Sequence, residues 1–291
     1  MSDARSEIYA AELGGTIYTA GGIGFFRTLS TCAAFDTRSQ TFNPCPDLPR
    51  SLHHVAMAAG EGQVFASGGY TSLPFNQDED GAVFALAIDR GAERWEELAK
   101  LPQPLGQHTM VYFGGALWLV GGDSRGKTVA TLRRYDLATG IWGERAPMPT
   151  ARNSHAVATD DERLYVTGGR SATLGGHSTV IEAYDFASDS WQTLPDAPYP
   201  LAGHGAAVVG GRLHVFGGEN LDTAEVFVRH VSIDLAALES GWREEAPLPE
   251  PRHGFATAAV DGTIWVLGGG KRAGIRTPWS VTGTALALDP Q

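Results

Sequence analysis

Six Gly-Gly doublets, each closing a short apolar run, punctuate this chain of 291 residues. They read Ile17-Tyr-Thr-Ala-Gly-Gly22, Val64-Phe-Ala-Ser-Gly-Gly69, Leu117-Trp-Leu-Val-Gly-Gly122, Leu164-Tyr-Val-Thr-Gly-Gly169, Leu213-His-Val-Phe-Gly-Gly218 and Ile264-Trp-Val-Leu-Gly-Gly269. Their first glycines lie 47, 53, 47, 49 and 51 residues apart, and a period near 50 marks a repeat architecture. About 13 residues before each doublet an Ala/Val-rich strand begins, as in His155-Ala-Val-Ala-Thr, and a tight turn such as Gly114-Gly115 or Gly210-Gly211 ends it. After the doublet come a loop and a strand ending in an aromatic or aliphatic residue and Asp (Phe35-Asp36, Ile88-Asp89, Tyr135-Asp136, Tyr184-Asp185, Ile233-Asp234, Leu288-Asp289). Phe42, Trp95, Trp142, Trp191 or Trp242 follows, and Pro49, Pro102, Pro149, Pro198 or Pro249 closes the unit. The period is that of strands, so each unit reads as four antiparallel strands.

Composition narrows the function. Charged residues make up 19% and hydrophobic ones 43%, the balance of a folded globular chain. No apolar stretch reaches the ~18 residues of a membrane span, and the first residues lack the apolar core of a secretion signal. A cytoplasmic protein without a membrane partner is expected. The net charge of −11 argues against nucleic acid, since proteins that track phosphate backbones carry a positive excess. The basic residues are 19 Arg and only Lys100, Lys127 and Lys271, and Arg suits bidentate capture of carboxylates and phosphates. Cys32 and Cys45 are the only cysteines, which favours two reduced thiols; pairing Phe35 with Phe42 sets them opposite each other on neighbouring strands.

The doublet, the aromatic-Asp pair and the Trp, in fixed order six times over, resemble the Kelch repeat. The resemblance covers nearly the whole chain and implies an all-β, six-bladed Kelch-type β-propeller of four-stranded antiparallel blades. One domain spans 1–291, with blades near 7–49, 50–102, 103–149, 150–198, 199–249 and 250–291. The WD40 alternative fails on its period and on the missing Trp-Asp dipeptides. One blade cannot bury both faces alone, so blades stack around a channel. The last blade lacks an obvious fourth strand and residues 1–6 are too few to supply a full one: either it has three strands, or the N-terminus pairs there briefly, or a protein partner covers the edge.

Antiparallel order puts the loops between strands 2 and 3 and the crossovers between blades on one face, with short turns on the other. The long loops fall on the first face, where a ligand is expected. There the crossovers bring Arg152, Asn153, Ser154, Arg252, His253, His54, His108, His155 and His204, and the positions after the doublets bring Tyr70, Arg170 and Glu219. An Arg-rich mouth on an acidic chain predicts capture of an anionic small molecule or acidic peptide. Resemblance to Kelch substrate adaptors implies the same for Arg152, Asn153, Ser154, Arg170 and Arg252. His108, His155 and His204 recur at one repeat position, which also suits a structural bond to the next blade.

Other motifs are weaker. Gly122-Asp-Ser124-Arg-Gly126 matches a nucleophile elbow in letters, but a strand follows it where a helix is required. Asn76-Gln-Asp78-Glu-Asp80-Gly81 matches half of a calcium loop and lacks its closing Glu. No cofactor and no metal are expected. The bacterial sialic acid mutarotase is also a six-bladed Kelch propeller, and Gly218-Glu219 resembles the segment holding its acid/base Glu. That similarity implies an alternative, a sugar-acid isomerase using Glu219 with His155 or His204. A pure protein-interaction scaffold is the remaining alternative.

Overall fold

The computed structural model describes residues 1–72 and 78–290. Five sheets of four antiparallel strands and one of three succeed one another along the chain as the blades of a six-bladed propeller. Blade 3 is typical: Thr109–Phe113, Ala116–Val120, Leu132–Asp136 and Ile141–Arg145 run from the channel outwards. The first strands of successive blades lie side by side around the channel. Blade 6 holds only Ala256–Val260, Thr263–Leu267 and Ala285–Leu288.

Each letter of the repeat has a bond behind it. The Asp ending the third strand starts an Asx turn, as where Asp36 Oδ1 accepts the amides of Arg38 and Ser39. The fourth-strand tryptophans reach back one blade: Trp95, Trp142, Trp191 and Trp242 donate Nε1–H to the carbonyls of Pro46, Lys100, Ala146 and Pro195. One apolar cluster fills each blade interface. In the last of them, Ile8, Ile17 and Phe35 of blade 1 pack on Trp265 and Leu267 of blade 6. Fully burying one such side chain stabilises the fold by about 1.5–3 kcal/mol.

The doublets are glycine because blades meet there backbone to backbone. A Cβ on Gly21 or Gly68 would lie 2.3 Å from the carbonyl oxygen of Leu52 or Leu105 in the next blade. The second glycine donates to that same carbonyl: Gly22 to Leu52, Gly69 to Leu105, Gly122 to Arg152, Gly169 to Leu201 and Gly218 to Arg252. The sixth bond runs from Gly269 to the carbonyl of Arg5, so the amino-terminal segment takes the place of a crossover and closes the ring. The Met1 ammonium donates to Gly283 O at 2.6 Å, and Arg5 N–H donates to Thr282 O at 3.2 Å. These residues add no fourth strand to blade 6.

Cys32 and Cys45 do sit opposite each other, as the Phe35–Phe42 pairing requires. They are not reduced thiols. Their Cα atoms are 5.2 Å apart, within the span of a disulfide, and the sulfurs are bonded. Of the half calcium loop, Asn76 and Gln77 lie outside the described residues, and Asp80 is occupied by Arg50 at 2.9 Å and by the Ala82 amide. Ser124 sits in a two-residue hairpin and donates to Pro104 O, with no helix behind it. No helix among the described residues is long and apolar enough to cross a membrane.

Candidate functional site

Fourteen residues before each doublet, the chain turns from crossover into innermost strand through a left-handed residue. Glu7, His54, Gln107, Ser154, Gly203 and Gly254 hold these positions, with φ of 55°, 54°, 51°, 51°, 58° and 59°. Backbone bonds tie them around the channel mouth: His54 to Glu7 O, Ser154 to Gln107 O, Gly203 to Ser154 O, Gly254 to Gly203 O and Ile8 to Gly254 O. Four carry side chains that tolerate this region only at a cost of roughly 1–2 kcal/mol each. The last two are glycines, so the ring is bare over one third of its circumference. A Cβ on Gly254 would stand 2.7 Å from Glu7 Oε1, since the Glu7 carboxylate leans across that gap.

Polar side chains form a second circuit above this backbone. The Ser154 hydroxyl donates to Gln107 Oε1 at 2.8 Å, and Arg170 Nη1 reaches Ser154 Oγ at 3.4 Å. Arg170 Nη2 pairs with Glu219 Oε1 at 2.7 Å, and Glu219 Oε2 accepts the Gly274 amide at 3.1 Å. His253 Nδ1 stands between two carboxylates, 3.5 Å from Glu219 and 3.7 Å from Glu7, while its Nε2 meets Arg272 O. Glu7 pairs with His54 Nε2 at 2.8 Å; His54 Nδ1 meets His53 Nδ1, and His53 Nε2 meets Ser72 O. With His53 Nε2–H donating to Ser72 O, His53 Nδ1 accepts from His54 Nδ1–H, and His54 Nε2 faces the Glu7 carboxylate.

The electrostatics agree. Burial opposes ionisation of Glu7, but His54, His253 and Arg170 outweigh it and hold its carboxyl far below the usual range. Burial and the neighbouring His54 push His53 down to about 4, so it stays neutral. Burial, then Asp123 and Glu79, raises the Tyr70 phenol. The assembly offers a cation, two carboxylates and an imidazole within one concave mouth, groups that recognise charged ligands and move protons.

The expected residues divide into two sets. Arg170, Glu219, His253, His54 and Ser154 come together in this circuit. Asn153 stands beside it, giving Nδ2–H to Asp123 at 2.9 Å, and Tyr70 packs under His53 and His54. Arg152 and Arg252 do not reach it: both are fully buried. Arg152 Nη1 donates to Gly168 O and Val180 O and its Nη2 pairs with Glu182. Arg252 Nη1 donates to Gly268 O, and its Nη2 meets Glu250 and Thr284. His108, His155 and His204 lie deeper, bonded through Nε2 to Ser67, Thr109 and Thr167 in the preceding blade, so none accompanies Glu219. The imidazole beside Glu219 is His253. Glu7 and Gln107 are absent from the expected set; the fourteen-residue offset from each doublet locates both. Among the described residues, no group of three or more His, Cys, Asp or Glu is placed to hold a metal ion.

The sequence profile of the KLHDC2/KLHL20/DRC7 Kelch-repeats domain matches residues 7–218 and 107–289, together almost the entire chain. The chain belongs to the Kelch-repeat family. Kelch-like protein 35 of Mus musculus is 30% identical over 137 residues, covering 47% of this chain and 22% of that protein. Alpha-scruin of Limulus polyphemus is 32% identical over 184 residues, covering 61% of this chain and 14% of that protein. Kelch-like protein 36 of Bos taurus is 24% identical over 182 residues, 59% of this chain and 28% of that protein. This Kelch chain thus matches only 22–28% of the length of these Kelch-like proteins.

Proposed function

We propose that this Kelch propeller is a binding module that captures an acidic peptide segment or an anionic small molecule at the channel mouth, with Arg170 receiving the acidic group. The observation that carries the reading is the position of Arg170. Of the three arginines expected to hold an anion, Arg170 is the one whose side chain reaches solvent, 26% exposed, whereas Arg152 and Arg252 are fully buried. Glu219 holds it ready, and an incoming carboxylate or phosphate competes with Glu219 for the same fork of donors. Arg152 and Arg252 act as framework in this reading, and His53, His54, Tyr70 and Asn153 shape the wall.

The test is a thermal-shift screen against sugar acids, dicarboxylates, phosphates and acidic peptides, with Arg170→Ala alongside. A ligand at about 100 times its Kd adds about 2.7 kcal/mol of stability. The shift is expected in the parent protein and lost in Arg170→Ala; a shift of equal size in both overturns the assignment. A second reading rests on the Glu219–His253 contact of 3.5 Å, a carboxylate and an imidazole able to exchange a proton across a sugar ring oxygen. Anomeric exchange of sialic acid, followed by NMR, would be faster with protein than in buffer and slowed by Glu219→Gln.

A further inference from the structure

We infer that the loops of blades 5, 6 and 1 beside the channel mouth form a docking surface for an acidic protein segment bearing bulky apolar side chains. The inference deepens the binding reading above, since it gives the partner of that face a second foothold.

Three observations carry it. The first is where apolar surface lies exposed. Phe25, Phe26, Leu174, Leu221, Ile275 and Trp279 all sit on loops between strands 2 and 3, the same face as the mouth. Phe25 is 65% exposed, Trp279 58% and Ile275 81%. Phe26 stands edge-on to both Trp279, at 4.6 Å, and Phe25, at 4.9 Å, so three aromatic rings from two blades make one patch at the seam. Contiguous exposed apolar surface of this kind marks an interaction site.

The second is charge. A groove of about 420 Å³ between the loops of blades 5 and 6 is lined by Ala224, Val226, Lys271, Arg272, Ala273 and Arg276, with no carboxylate among them. Lys271 is paired with Glu250, but Arg272 and Arg276 make no ion pair among the described residues. In a chain with 33 acidic and 22 basic residues, neighbouring arginines without carboxylates call for acidic groups from elsewhere.

The third is that the surface is built in advance. The 3₁₀ turn Gly274–Trp279 turns Thr277 inwards, where its hydroxyl meets Gly274 O at 2.7 Å, Arg272 O at 3.0 Å and His253 Nε2 at 3.2 Å. Ser280 Oγ accepts the amide of Arg272. Ile275, Arg276 and Trp279 therefore project from an anchored element that touches the mouth through His253. Binding to a preformed surface avoids the ordering cost that weakens mobile loops.

Panning a displayed random-peptide library on the parent protein tests this, with synthetic copies of the enriched peptides then titrated by fluorescence anisotropy. The variants are Arg272→Glu with Arg276→Glu, Phe26→Ser with Trp279→Ser, and Arg170→Ala; the seam residues are exposed, and circular dichroism verifies folding. The enriched peptides should combine Asp or Glu with Phe, Trp, Leu or Ile, and each seam variant should bind them at least about tenfold more weakly. Peptides that bind both seam variants like the parent, or no enrichment at all, overturn the docking surface. If those same peptides fail only on Arg170→Ala, the mouth reading stands and the seam falls. Seam-dependent sedimentation with phosphatidylserine vesicles, without peptide enrichment, would replace the protein partner with a lipid surface.

Discussion

Arg5, Arg152 and Arg252 occupy one repeat position, and each gives Nη1–H to the carbonyl of the first glycine in its blade's doublet, Gly21, Gly168 or Gly268. In the other three blades the slot holds Leu52, Leu105 or Leu201, equally buried. A residue that is Arg in three blades and Leu in three is filling space against the preceding blade, and its guanidinium satisfies buried carbonyls. His108, His155 and His204 do comparable work between blades, and burial pushes His108 and His204 down to about 3. An unfolded His titrates near 6.5, so between about pH 3 and 6.5 the unfolded chain binds protons that the folded chain refuses. Stability is therefore expected to be full above about pH 6.5 and to fall with acid, the direction in which Glu7 also pushes as its low-lying carboxyl gains a proton. Urea titrations across that window should show the His204→Gln slope reduced by about one proton, or about 1.4 kcal/mol per pH unit. An unchanged slope would place the titration elsewhere. From sequence, the arginines look like anion receptors, because residue type does not tell which buried carbonyls of their own blade the guanidinium will meet. Glu7 is hard to read for another reason: no closing Pro precedes it, so nothing in the sequence marks it as the end of a crossover.

At the scale of the strand, register is the most legible quantity. Once Phe35 is paired with Phe42, antiparallel register sets Cys32 opposite Cys45, and the sheet has both pairs. Oxidation does not follow, because two touching cysteines suit either redox state and only their bonding distinguishes them. Closing a loop with a sequence separation of 13 stabilises the fold by about 3 kcal/mol in the chain-entropy account. Cys32→Ser with Cys45→Ser is expected to lose about that much in urea unfolding and to become indifferent to dithiothreitol; a parent protein equally indifferent would mean the bond contributes nothing. The short ribbons of the loops, such as Asp123–Ser124 against Lys127–Thr128, are too brief for any periodicity to announce them. Phe25, Phe26 and Trp279 lie on loops, where no periodicity distinguishes an exposed aromatic residue from a buried one.

For the molecule as a whole, the repeats count the blades, while closure depends on bonds that no repeat contains. Between blades 6 and 1 the seam is held by the cluster around Trp265 and by backbone bonds from Met1, Arg5 and Ile8. Arg5→Ala removes a buried guanidinium from Gly21 O, leaving that acceptor unsatisfied at about 1–3 kcal/mol, while Thr31 O keeps the amide of Gly21. Amide exchange by mass spectrometry is expected to quicken first in strands Thr16–Ala20 and Thr263–Leu267, on either side of the seam, with blades 3 and 4 unchanged. Uniform acceleration would show that the ring loosens as one body. The left-handed turns at the mouth bear on a different question, that of change over generations. Because amide groups join the ring, the residue types at its six positions are spared from holding the drum together. Glu, His, Gln, Ser, Gly and Gly are one setting of a six-position dial, and a lineage can turn it one codon at a time while the scaffold stays still.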